Sequence, residues 1–195
     1  MTAGFKEWKS VCDTLERGDQ IIILRKGGIA EGKDGFLWKH REFFLFPTAH
    51  HDHRDQLKVS AAAADASFAK RTDDKIEIRL HARIIWSADI KTLELADKLS
   101  PFHIWKPEVI GQRFDYSEKK GIRLALLRVY RLRNPWILDD SPAFGGCRSW
   151  LELPKPNTEQ LELEPVVNDA DFSAKENQIK QLLSAEGVEV TKFDQ

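Results

Sequence analysis

Between Ile76 and Trp86 apolar residues recur at every second position. Ile76, Ile78, Leu80, Ala82, Ile84 and Trp86 are spaced by Glu77, Arg79, His81 and Arg83. A period of two predicts a strand with one face in the core and one polar face. The run from Ile122 to Leu132 predicts a second long strand, with Leu124, Leu126, Tyr130 and Leu132 sharing a face with Arg128. Ile21 to Leu24 and Phe43 to Phe46 are continuous apolar runs, read as strands covered on both sides, the second stopped by Pro47. A short strand is expected near Trp150 to Leu153, and an edge strand from Leu161, Leu163 and Val166-Val167.

Helical spacing appears elsewhere. Phe5, Trp8, Cys12 and Leu15, widened by Val11, predict an amphipathic helix that ends at Gly18. An Ala-rich stretch over 55–70, with Leu57, Ala61, Ala64 and Phe68 on one side, predicts another. Thr92 is placed to cap a short helix that ends before Pro101, and Pro107 suits the first turn of the next, through Val109, Ile110 and Phe114. Ser173 and Glu176 have capping-box spacing ahead of Ile179, Leu182 and Leu183. Strands and helices intermingle without a βαβ rhythm, so the expected class is α+β: a mixed, largely antiparallel sheet or partly open barrel with helices packed on it. One domain is expected over 1–153. Residues 154–195, entered through 154–157 as a linker, are expected to form an appendage of edge strand plus helix.

Composition narrows the setting. Of 195 residues, 42% are hydrophobic and 31% charged, which excludes wholesale disorder. Thirty Lys and Arg against 31 Asp and Glu leave a net charge of −1, so any binding of nucleic acid needs a local patch. Neither a secretory h-region nor an apolar run of spanning length is present, and Cys12 and Cys147 read as reduced thiols. The expectation is a soluble, cytoplasmic protein without membrane contact.

Four groups of residues have the chemistry of a site. Arg25-Lys26-Gly27-Gly28 at a strand end joins two cations to a permissive backbone that can face a phosphate, although no Walker A or G-x-G-x-x-G spacing is present. A tight turn with solvated cations is the competing reading. His50-His51-Asp52-His53 holds metal-ligand types, with His51 and His53 able to share one side and His40, Glu42 or Glu31 a further donor; the competing reading is a polar loop. His103-Ile104-Trp105-Lys106-Pro107, with Arg113 beyond, sets a Trp beside cations, the composition of a base-stacking or phosphate-contacting surface or of an ordinary packed helix start. Arg123, Arg128, Arg131 and Arg133 on one long strand, with Arg79 and Arg83 on the other, form either a guanidinium-rich surface or a set of cross-strand ion pairs. Cys147, beside Arg148, is a weak nucleophile candidate.

The segments C-D-T-L-E-R-G-D-Q-I-I-I-L-R-K-G-G-I-A-E over 12–31, F-F-L-F-P-T over 43–48, H-I-W over 103–105, L-L-R-V-Y-R-L over 126–132 and G-C-R-S-W over 146–150 together resemble the bacterial family known as domain of unknown function 1802. The resemblance covers about 5–153 and implies one domain over that region without implying an activity. More loosely, the stretch from Gly18 to Arg25 is similar to the opening of PUA-like or ASCH domains, small β-barrels that bind RNA or modified nucleotides.

The functional expectation is a binding domain for nucleic acid or a nucleotide-like phosphate ligand. Its candidate contacts are Arg25, Lys26, Gly27, Gly28, Trp105, Lys106, Arg128 and Arg131. Two alternatives stand beside it: a nuclease-like, metal-assisted hydrolase with Glu31, His51, His53 and Glu77 as ligands or bases, or a protein-interaction module without a small ligand. No cofactor is required by the residues, and a divalent metal belongs only to the hydrolase reading.

Overall fold

The two longest strands form the spine of the molecule in a computed structural model that describes residues 2–26, 36–48, 54–58, 75–117, 119–157 and 162–193. They are β4, Lys75–Ile90, and β5, Ile122–Asp139, paired antiparallel along nearly their whole length. β4 keeps the alternation read from its residues, with Ile76, Ile78, Leu80, Ala82, Ile84 and Trp86 all buried.

The remaining strands are β1 (Thr2–Trp8), β2 (Ile22–Arg25), β3 (Glu42–Thr48), β6 (Trp150–Leu153), β7 (Leu163–Pro165) and β8 (Thr191–Lys192). Among the described residues they complete one open eight-stranded sheet in the order β2-β5-β4-β3-β1-β6, with β7 added to β5 and β8 to β4. β1 and β3 run parallel; the other pairs are antiparallel. Among the described residues four α-helices pack with the sheet: α1 (Lys9–Glu16), α2 (Leu93–Lys98), α3 (Pro107–Asp115) and α4 (Asp169–Ala185). The class is therefore the expected α+β arrangement with a mixed, largely antiparallel sheet.

Four element boundaries differ from the sequence reading, each for a tertiary reason. Phe5 lies in β1 and not in a helix, because β1 is held between β3 and β6; the helical stripe begins only at Lys9. Gly4 permits that position: a Cβ there would sit 2.7 Å from the Leu153 side chain. Pro47 does not stop β3, which continues to Thr48 in parallel register with Glu7 and Trp8. β5 runs on past Leu132 to Asp139. The register jumps from Leu80↔Arg131 to Ile78↔Trp136, and Pro135, which has no N–H for the ladder, falls inside that irregularity. The last helix begins at Asp169, capped by Asn168, whose side chain accepts the Asp171 N–H at 2.9 Å. Ser173 and Glu176 are therefore inside α4, and Glu176 instead accepts the indole N–H of Trp86 at 2.8 Å.

The main core gathers Phe5, Leu15, Leu45, Trp86, Trp105 and Leu126, and includes Phe172, Ile179 and Leu183 of α4. A second cluster on the opposite face of β3 joins Phe44 and Phe46 to Ile76, Ile78, Trp136 and Leu153. Thr92 caps α2 and Pro107 opens α3 as their positions indicate. Of the Ala-rich stretch, 54–56 form a 3-10 turn and Leu57 bridges Trp105; Ala61, Ala64 and Phe68 lie outside the described residues.

Candidate anion-binding site

Three chain segments end beside one another. Strand alternation turns Phe5 and Glu7 of β1 inward, and both are buried. β2 ends at Arg25, and the next residue, Lys26, spans to the far end of α3. Its ammonium donates to the carbonyls of Phe114 (3.1 Å), Lys119 (2.6 Å) and Gly121 (2.8 Å). All three protons are thus used on carbonyls, including one that the last turn of α3 leaves without an intrahelical partner. Burial lowers the Lys26 pKa, only partly offset by Asp115. The turn it braces depends on Gly121, at φ +126°, where a Cβ would lie 2.9 Å from the Ile90 carbonyl oxygen.

This staple brings Arg113 of α3 into the electrostatic reach of Arg25 and Glu7. The Arg113 guanidinium carbon lies 3.6 Å from the centroid of the Trp105 ring and 5.6 Å from that of Trp8; the two indoles meet edge to face at 4.7 Å. Arg25 lies over Phe5 at 4.8 Å and Phe36 at 5.6 Å, donates to the Ser149 hydroxyl at 2.8 Å and faces the Glu7 carboxylate at 3.5 Å. That last separation is longer than a charge-assisted hydrogen bond. Glu7, only 2% exposed, also accepts the Trp8 N–H at 2.8 Å.

Arg25 thus faces the Glu7 carboxylate, and Arg113 stands within the electrostatic field of both in a largely buried setting. Arg113 forms no ion pair among the described residues, and the buried Nε of Arg25 has no hydrogen-bond partner among them. Burial lowers the Arg113 pKa to about 10; Glu7 opposes that shift and Arg25 adds to it. A cation so placed lacks a full counter-charge, and a second anion beside Glu7 would supply it.

His103 borders the same group. It is 6% exposed, and its Nδ1 accepts the N–H of Trp105 at 3.2 Å, which leaves the ring proton on Nε2. Nε2 is buried without a hydrogen-bond partner among the described residues. Burial, reinforced by Lys58 and Arg113, lowers the His103 pKa to about 3, so the ring is neutral at ordinary pH.

The sequence candidates divide accordingly. Arg25 faces Glu7, and Trp105 carries Arg113 on its ring. Lys26 supports them from behind, and Lys106 stands at the N-cap of α3. Arg128, 8% exposed, pairs with Asp169 and lies over Phe172 at 4.7 Å, which docks α4. Arg131 reaches the carboxylate and backbone carbonyl of Glu16. Arg25 is in register with Arg123, so Arg128 and Arg131 stand five and eight residues further along β5. Those offsets are about 17 and 26 Å at strand rise. The other strand arginines are paired too: Arg79 with Glu77 and Glu16, Arg83 with Glu42, Arg123 with Asp89 and Arg133 with Glu162.

Gly27, Gly28, Glu31, His51 and His53 lie outside the described residues. Among the described residues no three His, Cys, Asp or Glu side chains gather in a metal-binding group, and no helix is long and apolar enough to cross a membrane. Glu7 and Ser149 were absent from the sequence candidates. The signal for Glu7 was its two-residue spacing from Phe5, which points inward only once the segment is a strand.

Among solved structures, the chain is similar to the ASCH protein from Zymomonas mobilis, with a TM-score of 0.47 and 11% identity over 84% of this chain and 96% of that one. No curated protein matches it. The family model described as domain of unknown function (DUF1802) matches residues 4–178, in accord with the segments that resembled it. The chain belongs to the DUF1802 family.

Proposed function

We propose that this protein binds a phosphate-bearing ligand, a nucleotide or a short single-stranded stretch of nucleic acid, at the group formed by Arg25, Arg113, Glu7, Trp8 and Trp105. The observation that carries the reading is the Arg113 guanidinium, laid on Trp105 at 3.6 Å without an ion pair among the described residues and balanced only in part by a carboxylate that also faces Arg25. A phosphate completes the charge balance and accepts from the free edges of both guanidinium groups. The aromatic surroundings suit a ligand with a flat ring.

Pairing of the strand arginines with acids favours a compact contact over a long track along a duplex. Two cations imply about two phosphates, so the log–log dependence of affinity on salt should have a slope of roughly −1.4 on single strands. Calorimetric titration of nucleoside monophosphates, inorganic phosphate and short single-stranded oligonucleotides between low and physiological salt tests this. Arg113→Gln, which removes a charged partner, should weaken binding about 10- to 100-fold. Unchanged affinity in that variant, or no binding by the parent protein at low salt, would overturn the reading.

A further inference from the structure

A second concavity lies apart from the anion group: none of Arg25, Arg113, Glu7, Trp8 and Trp105 lines it. Its volume is about 740 Å³, within the roughly 300–1,000 Å³ of small-molecule sites. Gly187, at φ +69°, turns the chain after α4, and the Val188 N–H returns to the Leu183 carbonyl at 2.9 Å. The segment then runs back to β8, where Thr191 pairs with Ser87 of β4. This return segment walls one side of the cavity, while Leu37 and Trp38 stand with β4, β5 and α2 on the others. The return wall lies beyond residues 4–178, the part matched by the family model.

The lining decides what fits. Trp38, packed against Phe5 at 5.6 Å and Phe36 at 4.5 Å, brings flat apolar surface to the cavity together with Phe193 and Val188. Arg123 and Asp89, register partners on β5 and β4, put an ion pair of 3.2 Å into it. Arg123 spends Nε on Asp89 and Nη1 on the Phe36 carbonyl, so Nη2 remains a donor without a partner among the described residues. The second oxygen of Asp89 remains an acceptor in the same way, and the side chain is 57% exposed. Such a pair is neutral in sum and selects neither an anion nor a cation. It matches an edge that itself sets an N–H beside a carbonyl. We infer that this cavity binds an uncharged planar ring with an amide edge, as in uracil and other lactam heterocycles: the ring lies against Trp38, its N–H donates to Asp89 and its carbonyl accepts from Arg123.

Uridine, whose ring N–H lies between two carbonyls, and 3-methyluridine, in which a methyl group replaces that hydrogen, serve as probes by calorimetry. Neither carries a phosphate for Arg113. Uridine should bind about 10-fold more tightly than 3-methyluridine. Asp89→Ala removes the acceptor at an exposed position and should erase that preference. Ser87→Phe sets a ring into the cavity and should abolish binding of both. Arg113→Gln should bind uridine as the parent protein does.

In the parent protein, ¹H–¹⁵N spectra should show the Trp38 indole and the Val188 and Thr191 amides moving with uridine and not with inorganic phosphate, a readout that needs no variant. Equal affinity for the two nucleosides, binding of neither, or signals at those three residues indifferent to uridine overturns the inference and leaves the anion site standing. Uridine binding that is lost in Arg113→Gln overturns it too, since the base would then sit at the anion group. Phosphate and nucleotides that go unbound at low salt while uridine still moves the three signals uphold the cavity and overturn the anion reading instead.

Discussion

His103 and Lys26 show how much a single side chain's surroundings change its role. A His pKa held near 3 in the folded chain, against about 6.5 when unfolded, means that the unfolded state takes up the proton first. The stabilisation from keeping His103 neutral is complete above about pH 6.5 and is lost as pH falls from there toward 3. By pH 5 it costs about 2 kcal/mol. His81, lowered by burial against the opposing pull of Glu42, acts in the same direction. Urea denaturation at pH 7.5 and pH 5 should therefore show a smaller acid-induced loss in His103→Gln than in the parent protein; equal losses would mean that His103 is not held neutral. Lys26→Met removes three carbonyl contacts at once and should cost about 1–3 kcal/mol. Ligand affinity should fall less than in Arg113→Gln, since Lys26 positions Arg113 and does not touch the phosphate.

Among the elements, α3 and its following turn place the site, and α4 closes the core. Gly121 has a backbone conformation that side-chain-bearing residues rarely adopt and no room for a Cβ. Gly121→Ala should lower stability by about 1–3 kcal/mol, read from the shift in the denaturation midpoint. On α4, Ile179 and Leu183 are fully buried in the main core, and Arg128 and Trp86 reach across to Asp169 and Glu176. Ile179→Ala is expected to cost about 2–5 kcal/mol. A loss below about 1 kcal/mol in the same measurement would show that the helix is only loosely attached.

Elements differed in how well their residues announced them. β4 could be read directly, because apolar residues at every second position have no helical counterpart. α2 and α3 could be read from Thr92 and Pro107, whose local chemistry sets a helix start whatever surrounds it. β1 could not. Phe5, Trp8, Cys12 and Leu15 keep helical spacing across a boundary at Lys9, and only pairing with β3 and β6 assigns the first half to the sheet.

Across the whole molecule, the distribution of charge separates site from scaffold. A chain with net charge −1 can bind an anion only where its cations escape their acids. Arg79, Arg83, Arg123, Arg128, Arg131 and Arg133 do not escape, and each ties strands, helices or loops together. Arg25 faces one carboxylate, Glu7, at 3.5 Å, and Arg113 forms no ion pair among the described residues. Weak salt dependence in solution would follow from that difference, and a steep slope would show that the strand arginines take part after all.

The residues alone specified the α+β class, the long alternating strand, the starts of α2 and α3 and the cationic segments, because each rests on local periodicity or on chemistry confined to a few neighbouring positions. Which cations act together was settled only when the chain folded. Arg25 and Arg113 are 88 positions apart, and their approach depends on Lys26 joining a strand end to a helix end and on Glu7 turning inward from a strand. Side-chain charge is a local property; whether an acid cancels it depends on distance, and distance belongs to the fold.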